Sequence, residues 1–467
     1  MDFLIGGLPR GGTTIAADLF NYHPQAFCLA QESQVLPLCM RLADSAPVAH
    51  QHINLLRAAI GRDVTQVLHA MAGHNVARGA AALAEAEKKW NIKAAALPQR
   101  LVFDEQRAQR LADRLGDLFE AGLFGKELLV AALAELEAEI RKDVTEHFVG
   151  EKSPANVFAI ERFGLLGARM AMIMKREPFG FMRSMRQLGG AAGGAFTDAF
   201  RKSIWEMIGM YCEYAETISK LKKSPQIIVA DYAELLDSPQ ALVQRMFDAA
   251  GLPSAEGAVA YAAIWVRPQT GRQSWDAFSP AELALIWGLT AEARRKLGHD
   301  QAYYTPTGLA SAPSASDYRV ESNSVHVLYG FSATGNKDHL WVADTGRIAV
   351  ESLPECKRVT LKFWANFPTA ILPEGSTATL SILAGDPERL IAKEEIAGGK
   401  ARLFEVAVNL WDIAPLLQAK NGAVRVLTLA SSHSYKSVNL PAQDTADGIG
   451  TADSRRVSVI MRAPEFE

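Results

Sequence analysis

The sequence predicts an α/β domain built on a parallel sheet, followed by a separate all-β domain. Three observations predict it. Short, continuously apolar strands alternate with helical segments from the N-terminus to about Asp300. A run of Pro, Gly, Ala, Ser and Thr, "TPTGLASAPSAS" from Thr305 to Ser316, then breaks that order. Beyond it lie strand-length segments, several with period-2 alternation, separated by turn residues. Continuous apolar strands interleaved with helices belong to a sheet covered on both faces, which implies parallel pairing.

The chain has 467 residues, more than one hydrophobic core usually holds, so two domains are expected. It is 49% hydrophobic and 22% charged, the balance of an ordinary soluble protein. A net charge of -3 gives no electrostatic case for a nucleic-acid partner. Cys28, Cys39, Cys212 and Cys356 are scattered, with neither a CxxC pair nor zinc-type spacing. They read as reduced thiols of a cytoplasmic protein. Met-Asp leads at once into a short strand that turns by Gly6, unlike a signal peptide. No uninterrupted apolar segment is long enough to span a bilayer.

The first strand is expected at about Asp2 to Gly7 and the first helix from Thr13 to Tyr22. "AFCLAQES", Ala26 to Ser33, reads as a second short strand with a polar end. Val35 to Glu146 reads as a large helical insert, clearest in "ELLVAALAELEAEIRKDV", where apolar residues recur at helical spacing. The heptad is not sustained, so a packed insert is expected and not a coiled coil. "ARMAMIMKREP" carries a buried strand that stops at Arg176, and "FGFMRSMRQLG" starts the next helix. Ile227 to Ala230 and the helix ending near Gly251 repeat the order. These elements make residues 1–304 the first domain, with the insert at about 35–146. Residues 305–316 form a linker. Residues 317–467 form an expected β-sandwich, from segments such as "RVTLKFWANF" and "GAVRVLTLAS". No internal repeat is evident.

The N-terminal stretch "FLIGGLPRGGTTIAADLFNYHP" carries the first chemistry. A strand, a Gly-rich turn and a helix start make an anion site, because unpaired amides of the first helical turn converge there. The ordinary reading, a tight turn without ligand, explains the glycines. It does not explain Arg10, Thr13 and Thr14 on the same turn. Gly7 and Gly12 have Walker A spacing, but Thr13 stands where the triphosphate-binding Lys belongs. The cation sits earlier, at Arg10.

"GGLPRGGTT…NYHP" resembles the 5′-phosphosulfate loop of sulfotransferases, usually Pro-Arg/Lys-Ser-Gly-Thr-Thr, with His23-Pro24 after the helix also fitting. Gly11 departs from the family's Ser and loses a hydroxyl, while its backbone N–H donor is expected to remain. The resemblance implies a P-loop-like sulfotransferase fold. The donor is 3′-phosphoadenosine 5′-phosphosulfate (PAPS), its product 3′-phosphoadenosine 5′-phosphate (PAP, or 3′,5′-ADP), and no metal is expected. Arg10, Gly11, Gly12, Thr13 and Thr14 would grip the 5′-phosphosulfate. In the family an Arg at a strand end and a Ser eight residues on bind the 3′-phosphate; here "KREPFGFMRSM" supplies Arg176 and Ser184.

"FCLAQESQVLP" resembles the segment of tyrosylprotein sulfotransferases that carries their catalytic Glu, which makes Glu32 the expected general base. The alternative is a solvated carboxylate at a strand end. "VGEKSPAN" looks like the family's Lys-Asp-Pro or Lys-Thr-Pro segment. Lys152 then either neutralises the leaving oxygen or is an exposed lysine in a helix-initiating loop. "VADYAELLDSP" resembles a Tyr-Glu-x-Leu…Pro element, in which Tyr232 lies near the nucleotide or anchors the core. "TGRQSWDAFSP" is similar to a segment that closes over the donor, and makes Arg272 a phosphate candidate.

The implied function is sulfuryl transfer from PAPS to an acceptor hydroxyl, with Arg10, Glu32 and Lys152 as the catalytic set. The added β domain, in which Trp341 and Trp364 are either sugar-stacking platforms or core residues, tilts the acceptor toward a carbohydrate. The Glu32 segment tilts it toward a peptide tyrosine. Two rivals stand beside this reading: a P-loop nucleotide kinase, and a non-catalytic glycan-binding protein with a degenerate sulfotransferase domain.

Overall fold

A computed structural model describes residues 1–29, 32–43, 105–190, 201–259, 277–300, 317–333, 339–367, 372–385, 388–433, 435–436 and 456–467. Met1–Arg201, Tyr214–Ser274 and Ala293–Tyr304 form one compact unit; Lys202–Glu213, Trp275–Glu292 and Thr305–Glu467 form a second. The second unit thus takes in two stretches that precede the expected linker. The linker itself lies outside the described residues, as does most of the expected insert between residues 44 and 104.

In chain order the α/β part runs β1 (Phe3–Gly7), α1 (Thr13–Asn21), β2 (Ala26–Leu29), α2 (Val35–Ala43), α3 (Glu105–Glu120), α4 (Gly125–Ile140) and β3 (Phe148–Lys152). The chain continues α5 (Asn156–Phe163), β4 (Met170–Lys175), α6 (Pro178–Gly190), α7 (Ile204–Lys220), β5 (Ile227–Asp231), α8 (Tyr232–Asp237), α9 (Pro239–Ala250), α10 (Pro280–Leu289) and α11 (Ala291–Leu297), of which the start of α7 and all of α10 belong to the second unit. The five strands pair in parallel in the order β2-β3-β1-β4-β5. The parallel α/β sheet expected from the apolar strands is therefore present. Between β1 and β4 the connections leave in opposite directions, so the loops after these two strands flank the switch point where such sheets bind ligands.

One strand was not expected. β3 reads "FVGEK", and its Glu and Lys hide it from hydropathy, yet all five residues are buried. Behind the sheet, Phe3 meets Phe20 of α1 at 4.1 Å between ring centroids and stacks on Phe148 of β3 at 5.0 Å. Each such ring withdraws enough apolar surface to stabilise the fold by roughly 1.5–3 kcal/mol. These rings fix α1 against β1, and with it the loop between them. The helical pair α3 and α4 is tied by the buried Glu139, which pairs with Arg110 at 3.1 Å, Arg114 at 2.7 Å and Lys142 at 2.6 Å.

The second unit contains β6 (Ser324–Ala333), β7 (His339–Ser352), β8 (Arg358–Ala365), β9 (Thr377–Ala384), β10 (Arg389–Ala397), β11 (Arg402–Asn409), β12 (Leu417–Ala419), β13 (Gly422–Ser431), β14 (Tyr435–Lys436), β15 (Arg456–Val457) and β16 (Val459–Phe466). The antiparallel β domain is as expected, but its main strands form one continuous sheet instead of two. The reason is β7, whose 14 residues outrun a single partner. Its second half pairs with β13 and its first half with β16, while β6 runs along its other edge. Two layers diverge from β7, and their outer strands β10 and β11 approach again, so the sheet nearly closes into a barrel. Inward residues of both layers, including Leu361, Phe363, Leu380, Ile382, Leu427 and Val459, share one core. Trp341 belongs to that core and offers no face to a sugar; Trp364 packs against its margin.

Candidate functional site

The turn after β1 is built from backbone. Leu8 N–H donates to Met174 O of β4 at 2.8 Å, and Gly11 N–H donates to Leu8 O at 2.9 Å. Ala16 N–H then donates to Gly12 O at 2.9 Å. The amides of Thr13, Thr14 and Ile15 therefore precede the first helical bond and have no partner within α1, where they form its positive end. Gly12 caps the helix at φ 101, a left-handed conformation, and a Cβ there would lie 2.9 Å from the Tyr232 ring. The expectation that Gly11 keeps a donor for the ligand is corrected by this turn, because its N–H is spent on Leu8 O. A Cβ at Gly11 would stand 2.7 Å from that same oxygen, so the turn in this form has no room for the family's Ser.

Arg10 has a φ of 60, rare for a residue with a side chain and costing about 1–2 kcal/mol. In that conformation its Nε donates to Ser184 Oγ on α6 at 3.0 Å. Arg176, the residue after β4, donates from Nη1 to Arg10 O at 3.0 Å. Its guanidinium carbon sits 4.1 Å over the Tyr232 ring, a cation–π contact. Arg10, Arg176, Ser184 and Tyr232, drawn from three separate sequence segments, thus adjoin one another at the carboxyl edge of the sheet. Tyr232 opens α8, which Asp231 caps by accepting from Ala233 N–H, with Glu234 completing a reciprocal capping box. Burial raises the Asp231 carboxyl, but the His299 ring at 2.5 Å outweighs it and holds the group below the usual carboxylate range.

The Arg176 Nε is buried and has no hydrogen-bond partner. A buried guanidinium N–H left over, beside the bare amides of a helix N-terminus, is suited to a multiply charged phosphate ligand. The residues present therefore fit a nucleotide such as PAPS.

A second cluster lies at the ends of β2 and β3. Lys152 Nζ donates to Glu32 Oε1 at 3.0 Å, and Gln34 Nε2 donates to Glu32 Oε2 at 3.0 Å. Lys152 is 0% exposed and Glu32 20% exposed, which removes the exposed-lysine reading and leaves the carboxylate open to solvent on one side. Gln34 has a φ of 55, a second side-chain-bearing residue in the left-handed region. Beneath the pair lies Glu151, fully buried; burial pushes its carboxyl up to about 7 against the hydrogen bonds from Asn156 and Ser33. Sequence reasoning missed Glu151, although the charged dipeptide in an otherwise apolar strand was its signal.

Arg272 lies outside the described residues. Among the described residues no cluster of three or more His, Cys, Asp or Glu could hold a metal ion, and no helix is long and apolar enough to cross a membrane.

Among solved structures, the sulfotransferase domain from the Synechococcus PCC 7002 olefin synthase matches with 13% identity and a TM-score of 0.39, covering 64% of this chain and 95% of that one. The sulfotransferase domain from the curacin biosynthetic pathway matches with 13% identity and a TM-score of 0.36, covering 64% and 97%. Sulfotransferase STF9 from Mycobacterium avium matches with 13% identity and a TM-score of 0.33, covering 63% and 76%. No curated protein matches the sequence. The sequence does match the sulfotransferase family over residues 2–256, more than half of its length and the whole span of the two clusters. The chain accordingly belongs to the sulfotransferase family, and its reaction class is PAPS-dependent sulfuryl transfer.

Proposed function

We propose that this enzyme transfers a sulfuryl group from PAPS to a carbohydrate hydroxyl, with Glu32 as general base. The observation that carries the site is the Glu32–Lys152 contact of 3.0 Å at the end of β3, the strand that pairs with β1, which leads into the Arg10 turn. PAPS supplies, when bound, an activated sulfuryl group on a phosphate leaving group. The amides of Thr13 and Thr14, the Arg10 guanidinium and the threonine hydroxyls bind the 5′ end and stabilise the charge that develops there. Arg176 and Ser184 select the 3′-phosphate, and Tyr232 braces Arg176 from below. Glu32 takes the proton of the acceptor hydroxyl as its oxygen bonds to sulfur, and the electron pair of the broken S–O bond stays on the departing phosphate oxygen. Lys152 holds Glu32 in place and has two further N–H donors to offer the charge that builds on transfer. Positioning and charge stabilisation do most of the work, as in phosphoryl transfer. Arg272 remains a candidate for the phosphate set.

The carbohydrate reading is supported by the appended β unit and by its exposed Trp411, in the turn after β11. A second acceptor, a peptide tyrosine, is favoured by the likeness of the Glu32 segment to tyrosylprotein sulfotransferases. A cytoplasmic location accords with four scattered cysteines, none in a disulfide. Calorimetry with 3′,5′-ADP against ATP-Mg tests the donor: binding of the first and not the second is expected. Transfer of labelled sulfuryl from PAPS to a panel of glycosides, phenols and tyrosine peptides tests the acceptor. Label on the peptides alone would overturn the carbohydrate assignment.

A further inference from the structure

We infer that Glu151 is a positioning residue, a buried carboxylate onto which the catalytic Glu32 segment and the Lys152 strand end are both clamped through two serine hydroxyls. The inference rests on the proposed roles of Glu32 and Lys152. Glu151 Oε2 accepts from Ser33 Oγ at 3.1 Å and from Ser153 Oγ at 3.3 Å; Oε1 accepts from Asn156 Nδ2 at 2.7 Å. Each serine oxygen is in turn an acceptor. Ser33 Oγ accepts from Val35 N–H at 3.3 Å, and Ser153 Oγ from Gln34 N–H at 3.2 Å. Both hydroxyl protons therefore point at one carboxyl group, and the backbone from Ser33 to Val35 hangs on it at two places. Asn156 also donates to Ile5 O at 3.0 Å, which joins the same group to the strand that leads into the Arg10 turn.

The clamp explains the conformation of Gln34. Held by its N–H on Ser153, Gln34 adopts its left-handed φ, and its side chain returns to Glu32. Strain of this kind persists only where surrounding bonds over-determine it. Glu32 is thus fixed from its own neighbours, and Lys152 by its place between Glu151 and Ser153. An amide at position 151 could not repeat the arrangement. Its NH2 would face either Asn156, also a donor, or two hydroxyls that need an acceptor.

The test compares Glu151→Gln, the double variant Ser33→Ala/Ser153→Ala, and Glu32→Gln. The readouts are PAP release from PAPS in the presence of the acceptor panel, 3′,5′-ADP affinity by calorimetry, and a crystal structure of the double variant. Glu151→Gln and the double variant are each expected to lower kcat by about 10–100-fold, the usual effect of removing a group that orients a catalytic one. Their 3′,5′-ADP affinity should stay within about twofold of the unmodified enzyme, a split that general loss of structure would not give. The crystal structure should show Glu32 displaced from Lys152. Unchanged kcat in the serine variant with Glu32 still on Lys152, or kcat and donor affinity falling together, would overturn the inference. Should Glu151→Gln fail to fold, the serine variant decides. If Glu32→Gln loses transfer while the others keep it, the clamp alone is wrong; if Glu32→Gln retains transfer, the assignment of the base itself fails.

Discussion

The buried ammonium of Lys152 lies 3.0 Å from the carboxylate of Glu32, joining two segments that are far apart in the sequence. Such a contact makes a selective prediction. Glu32→Gln keeps an oxygen for Lys152 to bind and keeps the shape of the site, but it cannot take a proton. Donor affinity should hold, while transfer falls by about 10²–10⁴-fold, the range for loss of a general base. Single-turnover measurement with saturating PAPS checks this, and transfer at the unmodified rate removes Glu32 from the mechanism.

Arg176 reads the 3′-phosphate in the proposed site, from its place between Arg10 O and the Tyr232 ring. Arg176→Ala should weaken 3′,5′-ADP by about 10–100-fold, as expected for charge-assisted hydrogen bonds. Binding of 5′-AMP, which lacks that phosphate, should change by less than about twofold on the same ground. Calorimetry with the two nucleotides separates the cases. Equal losses would mean that Arg176 supports the loop as a whole.

Gly11 yields a prediction against family habit. Restoring the usual Ser adds a Cβ 2.7 Å from Leu8 O, a contact the turn cannot hold without moving. Gly11→Ser should therefore weaken 3′,5′-ADP binding, by about 10-fold for an overpacking cost near 1–3 kcal/mol. A tighter complex in the same titration would show that the turn relaxes readily and that the hydroxyl is used.

How much of this was legible follows from what each residue type signals. The loop at Arg10 was visible because an apolar strand breaks into Gly, Pro and Arg just before a helix start, whereas Arg176 and Ser184 stood out only through the resemblance to the sulfotransferase pattern. β3 was not visible, because Glu151 and Lys152 are charged and fully buried, a combination that hydropathy reads as surface. The partnership of Asp231 with His299 was equally hidden, since nothing local connects the cap of α8 to a residue beyond α11. In the β unit the alternation marked the strands. It could not reveal that one edge of β7 serves two partners, β13 and β16, because pairing is decided by strand length and register across the whole sheet.

Glu151 also ties stability to pH. Burial raises its carboxyl from an ordinary 4.5 to about 7. Between those values the folded chain keeps a proton that the unfolded chain has already released. Stability is then fully present below about pH 4.5, declines as pH rises toward 7, and is lower by up to about 3 kcal/mol above it. Glu213, raised to about 7 by burial, acts in the same direction in the second unit. Glu139 acts oppositely: burial alone would raise it, but hydrogen bonds from Lys142, Arg114 and Arg110 bring it down to about 2, so its contribution is lost as pH falls from 4.5 toward 2. Thermal melts should therefore give a lower Tm at pH 8 than at pH 5. That difference should shrink in Glu151→Gln and persist in Glu139→Gln, and an unchanged difference in Glu151→Gln would place the titrating group elsewhere.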